Sequence, residues 1–135
     1  LIVKDGEGAT KFIKLNVINA KSLLLAQEVS KKLSSSILVK TAMFGKDPNW
    51  GRIIARLGSI ESSNIKPLKI KLMINNILCF KNGVSQDKGS KRLERSMRKN
   101  TIEITVDLNY GNHKQSMYFC DLSYDYVRIN SEYTT

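Results

Sequence analysis

The sequence predicts an α+β fold, with a mostly antiparallel sheet of about four or five strands and helices packed on one face. Residues 21–33 place Leu25, Val29 and Leu33 four residues apart, which is typical of a helix with one buried stripe. The length of 135 residues indicates one domain, residues 1–135. Apolar and polar residues alternate with a period of two, as in strands that bury one face, over residues 12–18, 68–74 and 101–108.

The first half of the chain predicts one strand and two helices. Residues 12–18 form the first strand, and the serine run at 34–36 ends the helix that follows it. Residues 37–44 are apolar without a clear period and fit a strand or a helix equally. Asp47 is a favoured N-cap residue and is followed by a proline, which is favoured at the first helical position, so a helix is expected over residues 48–57.

Two asparagine turns organise the strands of the second half. Asn75-Asn76 is predicted to turn strand 68–74 back into strand 77–81, and Asn82-Gly83 is a second turn signal. These turns favour antiparallel neighbours in the sheet.

The last third of the chain predicts a helix and a strand pair. Residues 87–100 are highly charged, with Leu93 and Met97 as a thin apolar stripe, and indicate a helix with a solvated face. Residues 115–120 are expected to return as an antiparallel partner of strand 101–108.

The net charge of +10 is unevenly distributed and leaves several function classes open. Residues 1–100 carry 20 Lys and Arg against 7 Asp and Glu, whereas residues 101–135 carry 2 against 5. A basic body fits a nucleic-acid-binding module or an anionic small molecule, and a structural or oligomerisation domain is a third alternative. Against nucleic acid, the lysine-bearing face of strand 68–74 has no interleaved aromatic residues on which bases could stack.

Cysteine usage and hydropathy bound the compartment and the chemistry. Cys79 and Cys120 lie far apart in apolar runs, which favours buried free thiols in the cytoplasm. His113 with two distant cysteines makes no metal site, so none is expected. No apolar run approaches the roughly 20 residues of a membrane helix. The chain opens on an apolar run without an initiating methionine, and we expect it to be a piece of a longer polypeptide.

Three stretches are more specific than the composition. The glycines of the first stretch, residues 5–11, allow close backbone approach to a ligand. This stretch lacks the Gly-Lys-Ser/Thr ending of a phosphate loop. From its residues alone, a surface turn before a strand is the better interpretation. The stretches are residues 5–11 (Asp-Gly-Glu-Gly-Ala-Thr-Lys), 38–53 (Leu-Val-Lys-Thr-Ala-Met-Phe-Gly-Lys-Asp-Pro-Asn-Trp-Gly-Arg-Ile) and 120–135 (Cys-Asp-Leu-Ser-Tyr-Asp-Tyr-Val-Arg-Ile-Asn-Ser-Glu-Tyr-Thr-Thr).

Together and in this order, the three stretches resemble the C-terminal part of the ArgJ family, the bifunctional glutamate N-acetyltransferases / ornithine acetyltransferases of arginine biosynthesis. The resemblance implies a precursor that cleaves itself at an Ala-Thr bond, after which the new N-terminal threonine of the β chain is the nucleophile. It implies acetyl transfer from N-acetylornithine to glutamate through an acetyl-threonine, with release of ornithine, and an oxyanion hole on the α chain.

The resemblance also implies the setting of this chain. It would be the C-terminal substrate-binding domain of the β chain, in a cytoplasmic heterotetramer of two α and two β chains, with no nucleic-acid or membrane partner. No cofactor is implied, and acetyl-CoA stays open as an acetyl donor in bifunctional members. Because the nucleophilic threonine lies upstream, no catalytic residue is expected here and the chain alone should be inactive.

Three substrate-binding residues are implied by matching the family motifs position by position: Glu7, Asn130 and Thr135. Glu7 could pair with a substrate amine, and Asn130 and the Thr135 hydroxyl could hydrogen-bond a carboxylate or amide. Without the resemblance, Glu7 would be a solvated turn acid, Asn130 a cap or surface residue and Thr135 a frayed terminus. If the assignment holds, the two ends of the chain meet in space. The motif around Trp50 and Arg52 is assigned a structural role.

Overall fold

The elements of the sheet and its helices follow the predicted order along the chain. The structure, a computed structural model, describes residues 12–35, 57, 69–86, 91–120 and 127–128. Within these residues the elements are β1 (Phe12–Ala20), α1 (Leu23–Ser34), β2 (Lys71–Ile74), β3 (Ile77–Lys81), β4 (Val84–Ser85), α2 (Lys91–Ser96), β5 (Thr101–Asp107), β6 (His113–Cys120) and β7 (Val127–Arg128).

All the described strands belong to one sheet, in the order β4-β3-β2-β5-β1-β6-β7. Five of the six neighbouring pairs among them are antiparallel, and only β1 and β5 run parallel. The predicted α+β class and the mostly antiparallel sheet are therefore confirmed. Five of these strands have four residues or more, as expected, and the two-residue strands β4 and β7 lie at the two edges.

One face of the sheet is buried and the other is only partly covered. On β1 the side chains of Ile13, Leu15 and Val17 are fully buried, whereas the residues between them are half-buried. The same alternation runs along β5. Because the pleat sends successive side chains to opposite faces, every second residue of the central strands enters the core.

Helix α1 covers the buried face and packs against β1 and β6. Ser22 is its N-cap, with extended backbone and a side-chain oxygen that accepts a hydrogen bond from Leu25 N at 3.0 Å. The helix therefore begins two residues after the predicted start at residue 21. The predicted stripe is confirmed: Leu25, Val29 and Leu33 are buried, while Leu24 is 66% exposed.

Both predicted asparagine turns are confirmed, and the backbone explains why asparagine and glycine occupy them. Asn75 and Asn76 have φ values of 51° and 65°, and Asn82 and Gly83 have 53° and 77°. Two-residue hairpin turns that match the strand twist require positive φ at both positions, which asparagine and glycine tolerate best.

Helix α2 is shorter than the predicted span 87–100. Leu93 and Met97 are buried, as the stripe predicted. The helix ends at Ser96 because the chain tightens there: the Ser96 hydroxyl donates to Leu93 O at 2.8 Å, and Lys99 N donates to Ser96 O three residues back. The expected continuation to Asn100 is wrong, and residues 87–90 lie outside the described residues.

The partner of β6 was predicted wrongly. Strand 115–120 was expected to pair with strand 101–108, but β6 starts at His113 and pairs with β1, which lies between β5 and β6. The connection crosses the end of β1, where Leu108 N donates to Ile18 O at 3.1 Å and Tyr110 N donates to Asn19 O at 2.8 Å. This long-range crossing leaves no local signature in the sequence.

Some predictions fall on residues beyond the described ranges. Of the predicted helix 48–57 only Leu57 is described, and it is helical and buried in the core. The segment 37–44 and residues 50 and 52 lie outside. Cys79 is buried and forms no disulfide, as predicted. Among the helices in the described part of the chain, none is long and apolar enough to cross a membrane.

Candidate functional site

The three residues assigned to substrate binding lie outside the described residues. Glu7 belongs to residues 1–11, and Asn130 and Thr135 belong to residues 129–135. Their mutual distances, and the expected meeting of the two chain ends, therefore stay predictions.

The described residues that flank these positions share one small area of the sheet. Ile13 of β1 is paired with Phe119 of β6, and Phe119 is paired in turn with Val127 of β7. Two strand spacings of about 4.8 Å place Ile13 and Val127 roughly 10 Å apart. The described strands nearest in sequence to Glu7 and Asn130 therefore lie in one area of the sheet.

The partly covered face of the sheet, opposite α1, carries polar side chains in aligned rows. We call the part of it on β5, β1 and β6 the open face. Its residues follow from the strand pairing and the pleat. The first two rows are Glu103–Lys14–Tyr118 and Thr105–Asn16–Ser116. The third row is the pair Asp107–Ile18 with Lys114 beside it on β6, where the register between β1 and β6 shifts.

Asn16 is the centre of a hydrogen-bond network that joins the three strands of the open face. Its Nδ2 donates to Glu103 Oε2 at 2.7 Å and to Thr105 Oγ1 at 3.2 Å. Its Oδ1 accepts from Ser116 Oγ at 2.7 Å. Both donors and the acceptor of the amide are engaged, which holds the side chain in one orientation.

An aromatic pair borders this network at the start of β1. The rings of Phe12 and Tyr118 stack with centroids 5.9 Å apart and planes 10° apart. Lys14 Nζ lies 5.7 Å from the centroid of the Tyr118 ring, in cation–π range. The aromatic pair therefore positions one ammonium group above the polar rows.

A depression of about 340 Å³ lies on the open face. Its size is at the low end of the range for small-molecule sites. Among the described residues no cluster of three or more His, Cys, Asp or Glu could hold a metal ion. The lining residues are Lys14, Asn16, Ile18, Thr105, Lys114, Gln115 and Ser116.

A second network closes the carboxyl ends of the parallel strands β1 and β5. Asn19 has a φ of 56°, and its Nδ2 donates to Asp107 Oδ1 at 2.9 Å. The same oxygen accepts from Asn109 N at 2.8 Å. Lys21 Nζ lies 5.5 Å from the centroid of the Tyr110 ring. These contacts stabilise the crossing into β6 and leave the Asp107 Oδ1 oxygen occupied.

Sequence reasoning missed the open face. Asn16, Thr105 and Ser116 occupy outward positions of alternating strands, where polar residues are ordinary. Their alignment depends on β1 being inserted between β5 and β6, and the predicted pairing of strands 101–108 and 115–120 would have left Asn16 out of the row. The polar outward positions of residues 12–18 and 101–108 were the available signal.

Comparisons with known proteins agree with the fold. The family model described as the ArgJ family matches residues 1–135. The chain is 44% identical to a glutamate N-acetyltransferase of Methanocaldococcus jannaschii and 41% identical to the arginine biosynthesis bifunctional protein ArgJ of Aquifex aeolicus, and the matches cover 100% and 99% of this chain. Each covers 35% of the relative, so the chain spans about a third of the length of these curated relatives.

A solved structure shares the architecture. The crystal structure of the arginine biosynthesis bifunctional protein ArgJ from Bacillus halodurans superposes with a TM-score of 0.78 at 35% identity, over 93% of this chain and 59% of that chain. The sheet with helices on one face is therefore one found in proteins of arginine biosynthesis. With a family model that matches its whole length, the chain belongs to the ArgJ family.

Proposed function

We propose that this chain is the C-terminal, substrate-binding part of an enzyme that moves acetyl from N-acetylornithine to glutamate. The observation that carries the proposal is the family match over residues 1–135, together with relatives named for glutamate N-acetylation and arginine biosynthesis. This match favours an enzyme part over a nucleic-acid-binding module, for which the basic charge was the main argument.

The chemistry requires a nucleophile that the proposal assigns to the upstream part of the protein. There, the hydroxyl of an N-terminal threonine attacks the acetyl carbonyl carbon of N-acetylornithine, and ornithine leaves with the proton on its amine. The amine of glutamate then attacks the acetyl ester, forms N-acetylglutamate and returns the threonine hydroxyl. The proposed partners are accordingly an α chain and the remainder of the β chain, as a heterotetramer in the cytoplasm.

Substrate binding is the role proposed for this chain's own residues. Glu7 would pair with a substrate ammonium group, while Asn130 and the hydroxyl of Thr135 would hydrogen-bond a carboxylate or amide. The pairing of Ile13 and Val127 with the same residue, Phe119, supports the proposal of a single site, since it places the strands that flank these residues in one area of the sheet. No bound cofactor is needed, and acetyl-CoA is left as an alternative acetyl donor.

The test is acetyl transfer by the complete polypeptide, expressed with the upstream part that carries the threonine. We expect transfer from N-acetylornithine to glutamate, with Glu7→Ala and deletion of Thr135 each lowering kcat/KM at least about tenfold, the loss of one charge-assisted contact. Glu28→Ala is the matched control, because Glu28 is an exposed acid on α1. Thr135→Ser keeps the hydroxyl and should retain activity.

Two results would contradict the proposal at different levels. Full activity after both Glu7→Ala and deletion of Thr135 would refute the site while leaving the family activity in place. A complete polypeptide that is cleaved and folded yet transfers no acetyl from N-acetylornithine, and takes none from acetyl-CoA, would refute the function itself.

A further inference from the structure

Among the described residues, the lining of the depression on the open face includes two lysines and no acidic residue. Lys14 lies in the first row and Lys114 in the third, so the two lysines flank the middle row, separated by roughly 13 Å along the strands. Neither lysine forms an ion pair within the described part of the chain. Within the described ranges the Lys14 ammonium group contacts the ring face of Tyr118 and donates no hydrogen bond, so its three N–H donors are available to a ligand.

The middle row adds a hydroxyl donor in a defined position. Thr105 Oγ1 accepts from Asn16 Nδ2, and the described residues offer no acceptor for its own hydrogen. Hydrogen bonds to Glu103 and Ser116 fix the orientation of the Asn16 amide, and the amide in turn fixes the position of Thr105 Oγ1. One hydroxyl between two cations provides the donors that a carboxylate or phosphate accepts from.

The two acids of the open face lie to one side of this arrangement. Glu103 and Asp107 both lie on β5, at one side of the rows, and neither lines the depression. Glu103 Oε2 already accepts from Asn16, and Asp107 Oδ1 accepts from Asn19 and Asn109. The free donors therefore lie on β1, β6 and the Thr105 hydroxyl, and the overall charge of +10 favours the approach of an anion.

We propose that the open face binds a small oxyanion, either a phosphate or a carboxylate group, between Lys14, Thr105 and Lys114. The depression of about 340 Å³ admits one such group with part of the molecule that carries it. The proposal uses only residues of the open face, and it does not depend on the acetyl-transfer proposal.

The experiment uses the complete polypeptide that contains this chain and follows the anion. Inorganic phosphate is titrated at constant ionic strength, and binding is read from the line width of its ³¹P resonance. A second titration uses acetate labelled at its carboxyl carbon. Broadening with phosphate alone assigns the site to a phosphate-bearing ligand, whereas broadening with both extends it to carboxylates. Either outcome supports the proposal, and a lack of broadening with both phosphate and acetate overturns it.

Variants of opposite expected sign locate the bound anion. Lys114→Gln should weaken phosphate binding at least about fivefold through loss of a charge-assisted contact. Glu103→Gln should tighten phosphate binding, because the new amide oxygen still accepts from Asn16 while the negative charge is gone. Thr105→Val should weaken binding and Thr105→Ser should retain it. The matched control is Lys31→Gln, since Lys31 is exposed on α1, on the other side of the sheet.

The pattern across these variants decides the matter, after circular dichroism has shown that each is folded. Weaker binding for Lys114→Gln and Thr105→Val, with Lys31→Gln unchanged, supports the site. Equal losses for Lys114→Gln and Lys31→Gln would assign the broadening to net charge and overturn the proposal. Unchanged binding in all variants, as expected if another part of the protein covers the open face, would overturn it as well.

Discussion

Replacing Gly111 with alanine is expected to destabilise the fold by about 3 kcal/mol. A Cβ at this position would lie 2.3 Å from Ala20 O and 2.6 Å from Lys21 Cα. Real Cβ atoms essentially never approach closer than 3.0 Å. Both contacted atoms are backbone, so no side chain can rotate away, and the crossing segment must separate from the end of β1 by about 1 Å or more.

The magnitude follows from two effects of that separation. Overpacking against a well-packed site costs about 1–3 kcal/mol. Ala20 is also the last residue of β1 paired with β6, opposite His113, so the shift endangers a ladder hydrogen bond worth about 1 kcal/mol. Gly111 is not among the residues with positive φ, so the penalty is steric and the reduced freedom of the unfolded alanine chain offsets only a fraction of it.

Urea unfolding followed by circular dichroism measures the effect, as a lower midpoint with an unchanged m-value. Asn112→Ala is the matched control, because Asn112 is the exposed neighbour in the same connection and should change the free energy of unfolding by less than about 0.5 kcal/mol. A Gly111→Ala variant as stable as the control would show that the crossing tolerates a side chain and would refute the close approach.

Two further predictions concern single polar side chains and use the same unfolding assay. Asn75→Ala should cost about 1–2 kcal/mol more than Asn76→Ala. Both residues have positive φ, but only Asn75 also accepts from Glu103 N at 2.9 Å and donates to Ser96 O at 3.2 Å; equal losses would contradict a role for these bonds. Gln115→Met should stabilise by about 1 kcal/mol, because Gln115 is buried and its Oε1 accepts no hydrogen bond among the described residues. Gln86→Met on the surface is the control, and a destabilised Gln115→Met would indicate that Oε1 has a partner such as a bound water.

Local structure was predictable where one short stretch carries the whole signal. The alternation of Ile13, Leu15 and Val17 requires only a period of two to predict the buried face of β1. The two asparagine turns were predictable because few residues tolerate positive φ. The end of α2 was not predicted because it depends on the Ser96 hydroxyl, which donates to Leu93 O and competes with the backbone hydrogen bonds of the helix. The neighbouring residues favour a helix and give no sign of this end.

The proposed substrate-binding residues came from motif resemblance alone, and the open face came from the structure alone. Glu7, Asn130 and Thr135 have no periodicity that marks them, since polar residues near chain ends are usually solvated. Asn16 has three side-chain partners on other strands, separated from it by 87 to 100 residues. No local pattern can specify contacts at such separations.

The sequence by itself determined which segments are strands and helices, which side of each is buried, and the family to which the chain belongs. Each of these depends on residue types within a few positions of one another or on motifs kept in order. Only the tertiary structure decided that β1 lies parallel to β5 and between β5 and β6. The backbone at Gly111 approaches Ala20 and Lys21 closely where the chain crosses the end of β1. The strand order places Lys14, Asn16 and Lys114 on one open face, because the order of the strands sets which side chains become neighbours.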